Sequence, residues 1–274
     1  PTLPIDWEEQ EMMPMNLYRK LRSRLLVVAA MLAMGAVMQS VQPSLPAAAA
    51  APTPLEPRTV YLTFDDGPSR NTAAILKVLQ EEGVPATFFV TLAEREQYPD
   101  AYAALCENGC RVALHCAHHD YARLYQSPRS YRADLLELET GLQELGIPYE
   151  RLVRLPGGSL NTRATPKTLE QILDGLKQDG YTIFDWTVTS GDDGAEGQSV
   201  PVPSETIVRT ALERGRGQLS PVVLLHDSHP FTTTPEAARQ LIRAYKAKGY
   251  RFGVLTTEME SLVLVDLWEN LSRK

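Results

Sequence analysis

The sequence predicts an α/β fold built on a parallel sheet, and three observations carry that prediction. Beyond residue 57, apolar runs alternate with amphipathic stretches. The joins between them are filled with Gly, Pro, Asn and Asp. The polar residues suited to chemistry gather at one end of the apolar runs and not at the other.

The first apolar run, Thr59 to Phe64, breaks at Asp65-Asp66-Gly67-Pro68, and a helical pattern from Thr72 to Glu82 closes at Gly83. Ala86 to Thr91 is the second strand, followed by a helix from Pro99 to Asn108 that Gly109 ends. Arg111 to His115 is the third, with a helix from Tyr131 to Leu145 before Gly146. Leu152 to Leu155 leads to a helix over Pro166 to Asp179, closed by Gly180. Tyr181 to Val188 precedes a helix over Ser204 to Arg214, and Pro221 to His226 precedes one over Pro235 to Lys248 before Gly249. Arg251 to Thr256 is the seventh strand. A glycine just past a helix supplies the left-handed residue that stops it. Short buried strands separated by helices imply a parallel sheet, and at this length either a barrel or an open doubly wound sheet.

Composition narrows the class further. With 274 residues, 43% hydrophobic and 22% charged, the chain can bury one substantial core. Its 27 Lys and Arg against 34 Asp and Glu give a net charge of -7 without a basic patch, which argues against nucleic acid as a partner. Three cysteines, Cys106, Cys110 and Cys116, are too few for a disulfide-built scaffold. Cys106 and Cys110 could close a small disulfide only if the helix breaks at Gly109; otherwise they are two partly buried thiols.

The first fifty residues follow other rules. Arg19, Lys20, Arg22 and Arg24 precede an apolar run from Leu25 to Met38, then Pro, Ser and Ala, with Ala-x-Ala sites at Ala47 to Ala51. That is the layout of a signal peptide, and the run is short for a bilayer span, which takes roughly 20 apolar residues. Cleaved export is expected; an uncleaved membrane anchor, with Val41 extending the run and Gln42 to Pro57 as a stalk, is the alternative. Both put the folded part outside the cytoplasm. A start at Met15 gives the more typical signal peptide, so the leading residues carry no weight in the fold.

Asp65 and Asp66, His115, Arg154, Asp185 and His226 all fall at or just beyond the C-terminal ends of different strands, the active face of a βα barrel. All five histidines lie in two segments, His115, His118 and His119 in one and His226 and His229 in the other. His115 and His119, four apart, can aim both imidazoles at one point, and two imidazoles with one carboxylate make a metal site with open positions. His118 could replace His119, since spacings of three and four share a helix face. The adjacent Asp65 and Asp66 leave the strand in different directions, so one can bind metal while the other faces a reactant; the plainer reading of Asp66-Gly67-Pro68 is a turn.

Five ordered motifs then name a family: TFDDGP at 63–68, H-x-x-x-H at 115–119, RLPGG at 154–158, DWTVTSGD at 185–192 and LLHDS at 224–228. From Arg58 to about Thr256 the sequence resembles the polysaccharide deacetylases of carbohydrate esterase family four. The resemblance implies a distorted barrel of about seven parallel strands in βα units, with the active site at the strands' C-terminal ends. It implies that Asp66, His115 and His119 bind a divalent metal, usually zinc with cobalt or manganese as alternatives, that Asp65 is the general base held by Arg154, and that His226 is the general acid. Leu225 and Trp186 would wall the acetyl pocket, and the loops carrying Tyr121 and Pro156-Gly157 would face the substrate. The sequence departs from the family at Cys116, where Ser or Thr is usual, and at Thr189, which leaves Asp192 or Asp185 to support His226. Cys116 is read as a buried small residue, with a zinc-binding thiolate as the rival.

The expected protein is therefore an exported, monomeric, metal-dependent hydrolase that removes N-acetyl groups from a GlcNAc-type polymer, peptidoglycan or a chitin-like glycan. It would be secreted, or anchored to the outer face of the bacterial cytoplasmic membrane. Its expected parts are a signal and linker segment (1–57), a catalytic domain (58–266) and a tail (267–274). Rivals are an O-acetyl xylan esterase, a glycan-binding module that has lost turnover, and an iron oxygenase built on the two His and one Asp. The last leaves Asp65, Arg154 and His226 unexplained.

Overall fold

The computed structural model of the chain describes residues 53–194 and 200–266. The expected signal segment and the tail at 267–274 lie outside the described residues. Strand β1 (Thr59–Asp65) sits at the centre of the sheet, between β2 (Thr87–Val90) and β7 (Val222–His226). Beyond β2 come β3 (Arg111–Leu114), β4 (Leu152–Val153) and β5 (Thr182–Ile183); beyond β7 comes β6 (Val188–Thr189). The last strand, β8 (Arg251–Gly253), pairs with the first residues of β1, and every pairing is parallel.

The expected single strand from Tyr181 to Val188 is broken in two. Its first half pairs with β4 and its second with β7, at opposite ends of the strand order. Between them the Asp185 N–H bonds the Leu262 carbonyl and the Thr187 N–H bonds that of Val222. One strand thus changes partners midway and joins the two ends of the sheet, which is how a distorted barrel closes.

Side chains alternate across a strand, and the alternation sorts the core into two layers. Val60, Leu62 and Phe64 of β1 pack outward with helix residues such as Ile75, Leu79, Leu142, Ile172 and Leu241. Tyr61, Phe89, Ala113, Leu152, Phe184 and Val222 form the second cluster, inside the barrel. The inward set fixes where chemistry can occur. Continuing it by twos along each strand reaches Asp65 from Tyr61, His115 from Ala113, Arg154 from Leu152 and His226 from Val222.

The helices are α1 (Thr72–Glu82), α2 (Pro99–Glu107), α3 (Tyr121–Leu124), α4 (Pro128–Glu144), α5 (Pro166–Gln178), α6 (Ser204–Arg214) and α7 (Thr234–Ala247). Helix α4 starts three residues before its expected Tyr131, because Ser127 accepts the Ser130 N–H as an N-cap and Pro128 fits the first turn. Helix α3, unforeseen, starts where the Asp120 carboxylate accepts the N–H groups of Ala122 and Arg123. Residues before Arg58 already belong to the barrel: Thr53 bridges Met259, and the Glu56 N–H bonds the Tyr61 hydroxyl. All three cysteines are free thiols, so Cys106 and Cys110 form no disulfide.

Candidate active site

The centre of the site is a guanidinium with no water contact. Arg154, just beyond β4, is fully buried and donates through Nη1 to Asp65 Oδ1 at 2.8 Å and Thr63 Oγ1 at 2.7 Å. Nε reaches the Phe184 carbonyl at 2.9 Å and Nη2 the Asp185 carbonyl at 2.8 Å, while the guanidinium lies 4.1 Å from the Phe89 ring centroid. Only Arg offers that planar fork of donors. Asp65, at the end of β1 and itself 3% exposed, is thereby fixed in position.

The next residue turns the other way. Asp66 has φ 74, a left-handed conformation that costs an ordinary L-residue roughly 1–2 kcal/mol but that Asp tolerates better than most. Its Oδ1 faces His115 Nε2 at 3.3 Å and His119 Nε2 at 3.5 Å. One ligand atom from each of these three residues lies within 4.8 Å of the others, and Asp66 Oδ1 is buried without a hydrogen-bond partner. His115 Nδ1 bonds the Arg154 carbonyl at 2.7 Å, so Nδ1–H is the donor and Nε2 presents its lone pair. An orphaned carboxylate oxygen beside two converging imidazole nitrogens fits a divalent cation.

Electrostatics agree with that fit. Burial alone would raise the Asp66 carboxyl, yet the imidazoles of His115, His226 and His119 hold it well below the usual range. Burial also lowers His119, against the pull of Asp66, which favours the neutral ring a metal needs. For His115 burial is outweighed by Asp66 and Asp65, and its pKa rises; the same carboxylate field that attracts a proton attracts a cation.

On the other side stands His226, last residue of β7. Its Nδ1 bonds Asp192 Oδ1 at 2.8 Å, and its backbone N–H bonds Asp192 Oδ2 at 2.8 Å. Asp192 also accepts from Thr234 and Ser190 hydroxyls at 2.8 and 3.0 Å. Burial alone would lower the His226 pKa, but the Asp192 carboxylate, with Asp66 and Asp65 behind it, raises it to about 10. Asp192 is thus the partner of His226. Asp185 is committed elsewhere: it accepts from the Ser159 hydroxyl and N–H and from the Leu264 N–H, tying the RLPGG loop to the C-terminal segment.

Leu225 is not a pocket wall. It is fully buried in the layer between sheet and helices, and alternation along β7 puts Leu224, two residues before His226, on the site's face. Trp186 is half-buried against the interior cluster and packs on Gly158, where a Cβ would come within 2.9 Å of its ring at φ 75. Tyr121 meets His119 edge-on at 4.9 Å and lies beside Gly157; Pro156 is buried, its carbonyl held by the Tyr125 hydroxyl at 2.7 Å. His118 turns away to Glu137 at 2.8 Å and is no part of the cluster. Cys116 is buried, which pushes its thiol well above the ordinary range.

Two carboxylates went unforeseen. Asp134 of α4, 1% exposed, accepts the N–H groups of Ala117 at 2.6 Å and His118 at 3.2 Å, holding the loop between His115 and His119. Asp227 is fully buried, bonds Thr72 Oγ1 at 2.7 Å and Ser69 Oγ at 3.2 Å, and presses on Gly67, where a Cβ would collide with it. Burial pushes Asp227 up to about 8 despite those hydroxyls. Its place directly after His226 in LLHDS was the available signal; Asp134 lies mid-helix among other acids and had none.

Comparison with known proteins gives a consistent result. The polysaccharide deacetylase profile matches residues 53–183. YheN of Bacillus subtilis, a candidate polysaccharide deacetylase, is 33% identical over 203 residues, 74% of this chain and 68% of the relative. A peptidoglycan-N-acetylglucosamine deacetylase of Bacillus cereus is 28% identical over 215 residues, 78% of this chain and 75% of the relative. Among solved structures, the catalytic domain of peptidoglycan N-acetylglucosamine deacetylase from Eubacterium rectale superposes with a TM-score of 0.70 at 33% identity, covering 79% of this chain and 98% of that one. The Bacillus cereus polysaccharide deacetylase Bc1974 superposes with a TM-score of 0.64 at 28% identity, over 75% and 95% of the two chains.

Proposed function

The chain belongs to the polysaccharide deacetylases, and from that premise we propose that it hydrolyses N-acetyl groups on cell-wall peptidoglycan, with Asp65 as base and His226 as acid. The single observation that carries the assignment of roles is that each group has its own buried partner of opposite charge, Arg154 for Asp65 and Asp192 for His226. Asp66, His115 and His119 would hold a divalent ion, zinc by preference with cobalt or manganese as alternatives. A divalent ion held there would supply Lewis-acid polarisation of the acetyl carbonyl and would make water more acidic, toward a pKa of roughly 7 in favourable zinc sites.

The chain's own residues account for the proton movements. Asp65, oriented by Arg154, takes the proton from the attacking water. The leaving nitrogen is too basic to depart unprotonated, so His226 donates to it; with Nδ1 bound to Asp192, Nε2 is the nitrogen that gives the proton. Trp186 and Leu224 offer apolar surface to the acetyl methyl, and the Tyr121 and Pro156-Gly157 loops border the sugar. Acetate and a free amino sugar result.

O-acetyl groups would be cut by the same water activation, and a protonated acid favours the amide, whose nitrogen needs it more than an alkoxide does. Two complete acid and base pairs count against a binding module without turnover. The protein is proposed to act outside the cell, secreted or anchored to the membrane's outer face; among the described residues no helix is long and apolar enough to cross a membrane. Acetate release from peptidoglycan, chitin oligomers and acetylated xylan tests this reading. Release from the first two supports it, and release from xylan alone contradicts it.

A further inference from the structure

Asp192 is buried and bound to His226, but the next residue, Asp193, is exposed. A carboxylate oxygen of Asp193 lies within 4.8 Å of ligand atoms of both Asp192 and His226. A third carboxylate therefore stands at the mouth of the site on the acid's side. The TFDDGP, H-x-x-x-H and LLHDS roles leave it without a task.

We propose that Asp193 receives the amine released by the reaction and holds it as an ammonium ion. This rests on the deacetylase reading above. His226 Nε2 first protonates the nitrogen of the tetrahedral adduct, which carries positive charge until the C–N bond breaks and its electron pair returns to nitrogen. The free amine then takes one more proton from water and becomes cationic. The acetylated nitrogen of the substrate is neutral, so Asp193 favours the late transition state and product over substrate, which is the kind of interaction that raises turnover. An ester releases a neutral alcohol and gains nothing from it.

The test compares the full chain with D193N. Binding of a fully deacetylated glucosamine oligomer is measured by calorimetry, and the chitin-oligomer rate is measured against the rate on acetylated xylan, whose released hydroxyls stay neutral. Both oligomer affinity and the amide-to-ester rate ratio are expected to fall about two- to fivefold, the size of an exposed ion pair. Added salt should shrink the affinity difference. Unchanged oligomer affinity, or equal losses on amide and ester, overturns the proposal, because Asp193 would then act only through His226. A wild type that releases acetate from neither chitin oligomers nor peptidoglycan overturns the deacetylase reading instead, while the calorimetry still decides Asp193.

Discussion

Asp65 and His226 are register partners at the C-terminal ends of two neighbouring parallel strands, β1 and β7. Adjacent strands thus deliver the proposed base and the proposed acid to the same level of the barrel. Each is held from its other side, Asp65 by Arg154 and His226 by Asp192, so charges of opposite sign are fixed side by side. The Asp66, His115 and His119 cluster begins one residue beyond Asp65.

With His226 as the proposed acid, the His226–Asp192 pair is expected to set the basic limb of the pH–rate profile. His226 must be protonated to act, and its pKa is raised to about 10 with burial opposed by Asp192. Asp192→Asn should bring that limb down toward the ordinary imidazole value of about 6.5, with a rate loss of roughly 10- to 100-fold at pH 8.5. A profile of kcat against pH for both proteins checks it, and an unmoved limb would remove His226 from the acid's role.

The same pair has a stability signature. A raised folded-state pKa means that the contribution is fully present below the unfolded value of about 6.5 and is lost as pH rises toward about 10. The denaturant midpoint of the wild type should exceed that of His226→Gln most at pH 6 and by progressively less up to pH 10.

Arg154 serves both fold and chemistry. Arg154→Met leaves Asp65, Thr63 and two carbonyls without their buried donor, at a cost of about 3–5 kcal/mol. Arg154→Lys should fold better yet lose most of its activity, since one ammonium cannot reach all four acceptors. Urea unfolding and acetate release separate the two effects.

Histidine geometry predicts an asymmetry between neighbours. His119→Ala should cut metal affinity at least tenfold, whereas His118→Ala, whose ring pairs with Glu137, should keep near wild-type metal content. Metal analysis of the purified variants after dialysis decides this.

Cys116 should be silent toward metal. Its sulfur does not join the converging ligand atoms of Asp66, His115 and His119. Cys116→Ser should hold zinc within about threefold of the wild type, and the cobalt form of the wild type should lack a sulfur-to-cobalt charge-transfer band.

Much of this was legible because period-two alternation and glycine-closed helices are local signals. Gly83, Gly109 and Gly146 marked helix ends to within a residue or two. The strand ends pointed to Asp65, His115, Arg154 and His226 for the same reason. What escaped depends on partners distant in sequence. The break at Asp185 exists because Leu262, far along the chain, takes over its hydrogen bond. The choice of Asp192 over Asp185 needed the loop's path, since both lie in one motif. Leu225 was misplaced by one residue, and in a strand one residue changes the face.

The central claim is that Asp65 acts as base beside a metal held by Asp66, His115 and His119. Its most direct test is acetate release from chitin oligomers and peptidoglycan by the full chain, stripped with chelator and then given zinc, cobalt or manganese, with Asp65→Asn in parallel. The account predicts that metal restores release in the wild type and that Asp65→Asn binds the metal yet loses at least 100-fold in rate. Metal-loaded wild type that releases no acetate, or an Asp65→Asn variant as fast as the wild type, would contradict it.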